Sequence, residues 1–167
     1  MFSAGLHTGD LGRRAGADAL AEAAVAGAGL AGPVRYAHAF ISANSFDCIA
    51  NMPFIFDIPP NLPIYAPNGT TLIANNWGEL LDNSMPDTLE NLLPGIDSLV
   101  VRYWWTGSEA GGTCTSFYNN CQAWTVANFA PEDLGMVGDV TATNSQWLKS
   151  GLRRPGSPLS DRHCVLS

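Results

Sequence analysis

Residues 98–106 read Ser-Leu-Val-Val-Arg-Tyr-Trp-Trp-Thr and form the clearest β-strand pattern in this chain of 167 residues. The stretch is rich in β-branched and aromatic side chains, which favour extended backbone. We therefore expect this strand to lie at the centre of a sheet. Side chains along a strand alternate between its two faces, so Trp104 and Trp105 are predicted to point in opposite directions.

Two helices are predicted on the N-terminal side of this strand. Residues 17–31 carry leucine and alanine at helical spacing, and Gly32-Pro33 would end the helix because proline cannot continue its hydrogen-bond ladder. A second, short helix is predicted over residues 76–81, with an asparagine as its N-terminal cap. Residues 87–93 are expected to add one helical turn.

Several short strands are expected to accompany these helices. They are residues 34–41, a hairpin of residues 64–65 and 71–73 around Asn68-Gly69, residues 122–126, and residues 161–166. The closely spaced prolines of residues 42–67 predict irregular chain, and residues 128–151 are predicted to be mostly turns. This order indicates an α+β fold with two short helices and a small, mostly antiparallel twisted sheet with long loops.

The composition fits a single domain over residues 1–167, with residues 1–11 as an N-terminal arm. The net charge is −7, and nucleic acid binding would need a basic face that the sequence lacks. No stretch approaches the roughly 20 apolar residues of a membrane-spanning helix, so no membrane insertion is expected. The N-terminus lacks the pattern of a secretion signal, so we expect any such signal to have been removed or never present.

A series of short motifs follows in order along the chain. The motifs are Ala15-Gly16-Ala17-Asp18-Ala19-Leu20, Ala28-Gly29-Leu30-Ala31-Gly32, Asn76-Trp77-Gly78-Glu79-Leu80-Leu81, Trp105-Thr106-Gly107-Ser108 and Asn120-Cys121-Gln122-Ala123-Trp124. In this order and spacing they resemble the endostatin-like domain found at the C-terminus of some animal collagens and, in free-standing versions, in bacterial surface proteins. The resemblance extends from about residue 12 to the C-terminus, and it implies a C-type-lectin-like fold.

The cysteines depart from the pattern of that family, whose typical members close two nested disulfides. The outer disulfide is absent here, because Ala21 stands at its first-helix position and either Ser167 or an unpartnered Cys164 stands at the end. Cys121 occupies an inner-bridge position, but its usual partner would lie near residues 156–159, which contain no cysteine.

The disulfide candidates are therefore Cys48, Cys114, Cys121 and Cys164, and four cysteines allow three complete pairings. The resemblance favours disulfides because it implies an extracytoplasmic setting. Four buried reduced thiols are the alternative, since free cysteine packs as a small apolar residue. The sequence does not select among the pairings.

Residues suited to catalysis or metal binding are sparse. His163-Cys164 would point to opposite faces of a strand and so would not form a nucleophile–base pair, and His38 is expected to be a core or cross-strand residue. Animal endostatins bind zinc through histidines near the N-terminus, but here His7 stands beside Asp10 alone, too few for a site of three or four ligands. We predict no catalytic residue, metal site or cofactor.

The resemblance implies a non-catalytic binding or adhesion module, extracellular or at the cell surface, that recognises a protein or glycan partner. Loops at residues 42–63 and 107–120 are the predicted binding face, because recognition concentrates on loops held by a rigid scaffold. Trp105 is expected in the core, so Trp104 on the opposite face is the predicted contact residue, together with Tyr103 and Tyr118. The alternative is a structural subunit that assembles as a homo-oligomer.

Overall fold

A computed structural model describes residues 1–29, 36–93, 96, 98, 99, 101–127, 133–153 and 165–166. These residues form a small α+β domain, which confirms the predicted fold class. Its helices are α1 (Arg13–Gly27), α2 (Met52–Ile55), α3 (Trp77–Leu80) and α4 (Leu89–Leu92). Its strands are β1 (Phe2–Ser3), β2 (Ile64–Tyr65), β3 (Leu72–Ala74), β4 (Tyr103–Trp105), β5 (Gly135–Asp139), β6 (Gly151–Arg153) and β7 (Val165–Leu166).

The largest sheet has the antiparallel order β4-β5-β6, so β5 is its central strand. The prediction that residues 98–106 form the central strand is wrong: among the described residues the strand is limited to β4, and β4 lies at the edge. The prediction of mostly turns over residues 128–151 is also wrong, because β5 and β6 lie there. Residues 128–132 and Val100 are outside the described residues.

Two glycines explain why β5 escaped the sequence pattern. A Cβ atom on Gly135 would lie 2.4 Å from the Trp105 ring, and one on Gly138 would lie 1.9 Å from the backbone oxygen of Trp147. Atoms cannot approach this closely, so only glycine fits at either position. The close packing that requires glycine here also removes the β-branched side chains that identify a strand.

Strand β5 and the two tryptophans of β4 are buried on both faces of the sheet. On one face Trp104 packs with Phe40 and Trp147, with ring centroids 5.9 to 6.0 Å apart. On the other face Trp105 packs edge-on against Trp124 at 6.0 Å, within a core that includes one side of α1. The alternation along β4 therefore separates two parts of the core rather than core from solvent.

Helix α1 covers the Trp105 side of the sheet. Its buried residues Ala17, Ala21 and Val25 recur every four positions and so lie on one face of the helix. The helix begins before its predicted start at residue 17, following Gly12 in a left-handed conformation with φ of 73°. It ends at Gly27, whereas the predicted stop at Gly32-Pro33 lies outside the described residues.

Asp139 ends β5 and is held by polar contacts on two sides. Its carboxylate accepts hydrogen bonds from the Thr141 hydroxyl at 2.7 Å and from Arg102 Nε at 3.1 Å. Burial alone would raise the pKa of Asp139, but the hydrogen bonds and the Arg102 charge outweigh it and lower the pKa from its ordinary value. The same contacts connect the end of β5 to Arg102 and Thr141.

The other strand predictions meet mixed outcomes. Strand β7 pairs with β1 in the predicted closing segment, whose residues 161–164 lie outside the described range. Of the predicted strand 34–41, residues 36–41 carry a bridge only at Ala39, and residues 34 and 35 are not described. Residues 42–67 are not wholly irregular: they contain α2, which tolerates proline in its first turn, and a 3-10 turn at Ile49–Asn51.

The predicted hairpin is confirmed, with β2 and β3 pairing antiparallel. The two-residue turn usual for Asn-Gly needs positive φ at both positions, but here positive φ occurs at Gly69 (70°) and not at Asn68. The Asn68 side chain instead accepts hydrogen bonds from the backbone N–H groups of Thr70 and Thr71, at 3.0 and 2.9 Å. Asparagine thus acts here through side-chain hydrogen bonding rather than a left-handed backbone.

The predicted helix at residues 76–81 is also confirmed, and its cap is specific enough to test. Asn76 Oδ1 accepts a hydrogen bond from Glu79 N at 2.9 Å. Replacing Asn76 with alanine is expected to lower the free energy of unfolding by about 1 kcal/mol, because a backbone donor loses its partner. Urea unfolding would measure the change.

The matched control is Asn75→Ala, one residue earlier. Asn75 Nδ2 contacts the exposed carboxylate of Glu79 at 2.9 Å and caps no backbone group. Its loss should change the free energy of unfolding by less than about 0.5 kcal/mol. Equal effects of the two variants would contradict the assigned role of the cap.

Candidate binding surface

The two predicted binding loops, residues 42–63 and 107–120, are joined to each other. A disulfide links Cys48 to Cys114 with a Cα–Cα distance of 5.0 Å. The hydroxyl groups of Ser42 in the first loop and Ser108 in the second are hydrogen-bonded to each other, and both residues are buried. Asn120 Nδ2 donates to the backbone oxygen of Ala43 at 3.0 Å. The two loops are therefore cross-linked at several points.

This disulfide resolves part of the cysteine question. The candidates Cys48 and Cys114 pair with each other across a sequence separation of 66. Cys121 is buried in the core beside Trp105 and Trp124, and Cys164 lies outside the described residues. The reduced alternative is therefore wrong for Cys48 and Cys114.

Arg14 anchors the first loop to helix α1. Its guanidinium makes two parallel hydrogen bonds to the Asp47 carboxylate, Nε at 2.8 Å and Nη2 at 2.7 Å. The same group donates to the backbone oxygens of Ala39 and Ile41. Because bidentate arginine–carboxylate contacts fix geometry in two directions, this residue sets the position of the loop.

Residues Cys121–Trp124 form a left-handed helical turn below the second loop, so the predicted strand over residues 122–126 is wrong. Their φ angles are 53°, 51°, 58° and 63°, a conformation that costs non-glycine residues about 1 to 2 kcal/mol each. One local and one long-range hydrogen bond hold the turn: Asn120 Oδ1 accepts from Ala123 N at 2.8 Å, and Trp124 Nε1 donates to Ser42 O at 2.9 Å.

The joined loops expose four aromatic side chains. They form two edge-to-face pairs, Phe46 with Phe54 at 6.4 Å and Phe117 with Tyr118 at 5.7 Å between ring centroids. The exposed fractions are 58% for Phe46, 82% for Phe54, 53% for Phe117 and 63% for Tyr118. We call these four residues the aromatic loop face.

The structure separates the three binding residues predicted from the sequence. Tyr118 belongs to the aromatic loop face. Trp104 is fully buried, so its predicted exposure is wrong; the reason is the second core of Phe40 and Trp147 on that side of the sheet. Tyr103 is half-buried, with the guanidinium of Arg153 4.3 Å from its ring centroid.

Sequence reasoning missed Phe46, Phe54 and Phe117. The available signal was an aromatic residue next to polar neighbours within a loop, as at Ser45-Phe46 and Ser116-Phe117. Phe117 also borders a cavity of about 510 Å³ lined by residues including Asn44 and Gln122. Side chains with hydrogen-bonding groups therefore lie next to the Phe117 ring.

The histidines that suggested metal or acid–base chemistry have local partners. His7 Nε2 lies 3.1 Å from the backbone oxygen of Ala4. His38 Nδ1 lies 3.2 Å from Asp18 Oδ2, and the imidazole stacks on Phe56 with centroids 3.9 Å apart. Across the described residues, no three histidine, cysteine or acidic side chains come together as a metal site. His163-Cys164 is outside those residues.

In comparisons of the sequence with known proteins, no family model and no curated protein matches the chain. Of the helices in the described ranges, none has the length and hydropathy needed to cross a membrane. We therefore base the functional proposal on the geometry of the loop surface.

Proposed function

We propose that this protein is a non-catalytic binding or adhesion module that recognises a protein or glycan partner through the aromatic loop face. The observation that carries the proposal is the exposure of four aromatic rings on two loops that a disulfide holds together. Exposed apolar groups of this kind are retained where a partner covers them.

The rigidity of the loops supports the proposal. Binding is weakened when flexible segments must be ordered, and here the Cys48–Cys114 bond and the Arg14–Asp47 contact restrain the loop before any partner arrives. Aromatic side chains contribute large contact areas and are enriched among residues that dominate binding energy. Two amide side chains, Asn44 and Gln122, line the cavity beside Phe117; Asn44 Oδ1 accepts from the backbone N–H groups of Phe46 and Asp47, and Gln122 Nε2 donates to Asp133.

The proposal extends to fold family and location. We propose an endostatin-like domain of C-type-lectin-like fold that acts outside the cell or at its surface. The order of sequence motifs supports the family, and the small α+β architecture with short sheets fits it. The disulfide supports the location because such bonds persist in oxidising compartments.

The double variant Phe117→Ser/Tyr118→Ser tests the binding face. Screening the wild type on arrays of glycans and of extracellular-matrix proteins should first identify a partner. The double variant should bind that partner at least about tenfold more weakly, because exposed aromatic residues account for much of the energy of such contacts. Surface plasmon resonance would measure the dissociation constants.

The matched control is Leu99→Ser, which removes an apolar side chain that is 95% exposed and lies outside both loops. It should bind as the wild type does. Unchanged binding by the Phe117/Tyr118 variant, or equal losses in the control, would contradict the proposed surface.

The second candidate function is a self-assembling surface subunit, in which the same aromatic side chains contact another copy of the chain. The edge-to-face pairs favour it because apolar rings could pack in the same way between molecules. Light scattering would decide: a mass that rises with concentration, and falls in the Phe117/Tyr118 variant, would support assembly.

A further inference from the structure

A groove of about 440 Å³ is lined in part by residues 56–63 of the first loop, but by none of the four residues of the aromatic loop face. Its walls are aromatic and aliphatic, and they include Tyr36, Phe56, Ile58, Leu62, Ile64 and Trp77. A volume of this size is typical of small-molecule sites, which are mostly apolar with a few polar groups that fix orientation. Nothing in the proposed function above uses this groove.

The walls of the groove are held in place by neighbouring residues. Phe56 is stacked by His38 and has the Arg14 guanidinium 5.3 Å from its ring centroid. Trp77 exposes only 8% of its surface and packs against Phe40 in the core. Both rings are therefore positioned before a ligand enters, which reduces the entropy lost on binding.

Asp57 contributes a negative charge to the lining of the groove. Asp57 lines it, is exposed to solvent, and makes no ion pair or side-chain hydrogen bond within the described part of the chain. No lysine or arginine is among the described residues that line it. His38 Nδ1 lies 3.2 Å from the Asp18 carboxylate, which also faces the Arg14 guanidinium at 3.6 Å.

The backbone at Asp57 fixes where that charge lies. Its φ is 53°, in the left-handed region that aspartate and asparagine tolerate better than most residues. Helix α2 ends two residues earlier, at Ile55, and the backbone N–H of Phe56 donates to Met52 O at 2.9 Å. The carboxylate is thus presented at the point where the chain turns from α2 into the wall of the groove.

We propose that this groove binds a small organic cation, an amine with an aromatic or alkyl body. The body packs between the apolar walls, and the ammonium group lies beside Asp57. Aromatic faces attract cations as well as apolar groups, whereas a carboxylate ligand would be repelled by Asp57. The sign of the ligand charge is therefore the property that distinguishes a bound amine from a molecule held by apolar contact alone.

Three probes that share a phenyl body test the proposal: 2-phenylethylammonium, the neutral 2-phenylethanol and the anionic 3-phenylpropanoate. Each would be titrated into the ¹⁵N-labelled protein, following the indole resonance of Trp77 assigned with Trp77→Phe. The ammonium should bind about fivefold more tightly than the alcohol, the ratio expected for one exposed ion pair, and the anion should bind most weakly.

The variants Asp57→Asn and Leu62→Ala separate charge from packing. Asp57→Asn keeps the left-handed backbone and should abolish the preference for the ammonium. Leu62→Ala should weaken all three probes, while Asp82→Asn, which does not line the groove, should change none. Equal affinities for the three probes, an unchanged preference in Asp57→Asn, or no shift at Trp77 would each overturn the proposal.

Discussion

Replacing Gly138 with alanine is expected to lower the free energy of unfolding by about 4 kcal/mol, the largest effect that we expect from adding a single methyl group. The new Cβ atom would lie 1.9 Å from the backbone oxygen of Trp147 and 2.5 Å from Trp104 Nε1. These two atoms are themselves joined by a hydrogen bond of 2.9 Å. The methyl group would therefore separate a buried donor from its acceptor as well as displace backbone.

Relief of this contact is difficult because the neighbours are fixed. Trp147 is fully buried and packs against Phe40 and Trp104. Gly138 pairs directly with Trp104 in the β4-β5-β6 sheet, so β5 cannot move away from Trp147 without losing its hydrogen bonds to β4. Close-packed cores respond to such insertions by shifting several side chains at once.

Urea unfolding followed by tryptophan fluorescence would measure the loss. Gly151→Ala on β6 is the matched control, because the nearest atom to its added Cβ is Arg153 Nη1 at 3.8 Å. That variant should be as stable as the wild type or more stable by less than about 1 kcal/mol. If Gly138→Ala unfolded at the same urea concentration as the control, the close contact of β5 with Trp147 would be disproved.

Local sequence signals were accurate wherever the structure is determined locally. The cap at Asn76 and the hairpin around Gly69 depend on hydrogen bonds that span only a few residues. The opposite directions of Trp104 and Trp105 follow from the geometry of any strand. These features could be read from the sequence because no distant residue decides them.

The wrong predictions share a dependence on distant residues. Exposure of Trp104 was decided by Trp147, which lies 43 positions away and covers the second face of the sheet. The left-handed turn at Cys121–Trp124 is held in part by Ser42, 82 positions from Trp124. Strand β5 was missed because the close packing of Trp105 and Trp147 requires glycine at two of its positions, and glycine does not indicate a strand in the sequence.

The candidate binding surface divides in the same way. Tyr118 could be predicted because a polar, glycine-containing loop surrounds it in the sequence. The connection between this loop and the loop that contains Phe46 could not be predicted, since four cysteines leave the disulfide pairing open. The disulfide is therefore the long-range contact that connects the two loops.

Replacing Cys48 and Cys114 together with alanine is expected to lower the free energy of unfolding by about 4 kcal/mol. The bond closes a loop with a sequence separation of 66, and its removal gives the unfolded chain many more conformations. Because both cysteines are replaced in the same variant, neither position can form a new disulfide with Cys121 or Cys164. Chemical denaturation without reductant would measure the difference from the wild type.

The same variant is also expected to bind its partner more weakly through the aromatic loop face. This loss of binding can be separated from the loss of stability. The contacts Ser42–Ser108 and Asn120–Ala43 do not involve the cysteines, so they are expected to keep the two loops together in the alanine variant at low temperature. Partner binding should then fall while the core tryptophan fluorescence stays native. Full binding by a destabilised variant would show that the disulfide serves stability alone, and an unchanged unfolding midpoint would contradict its role in joining the loops.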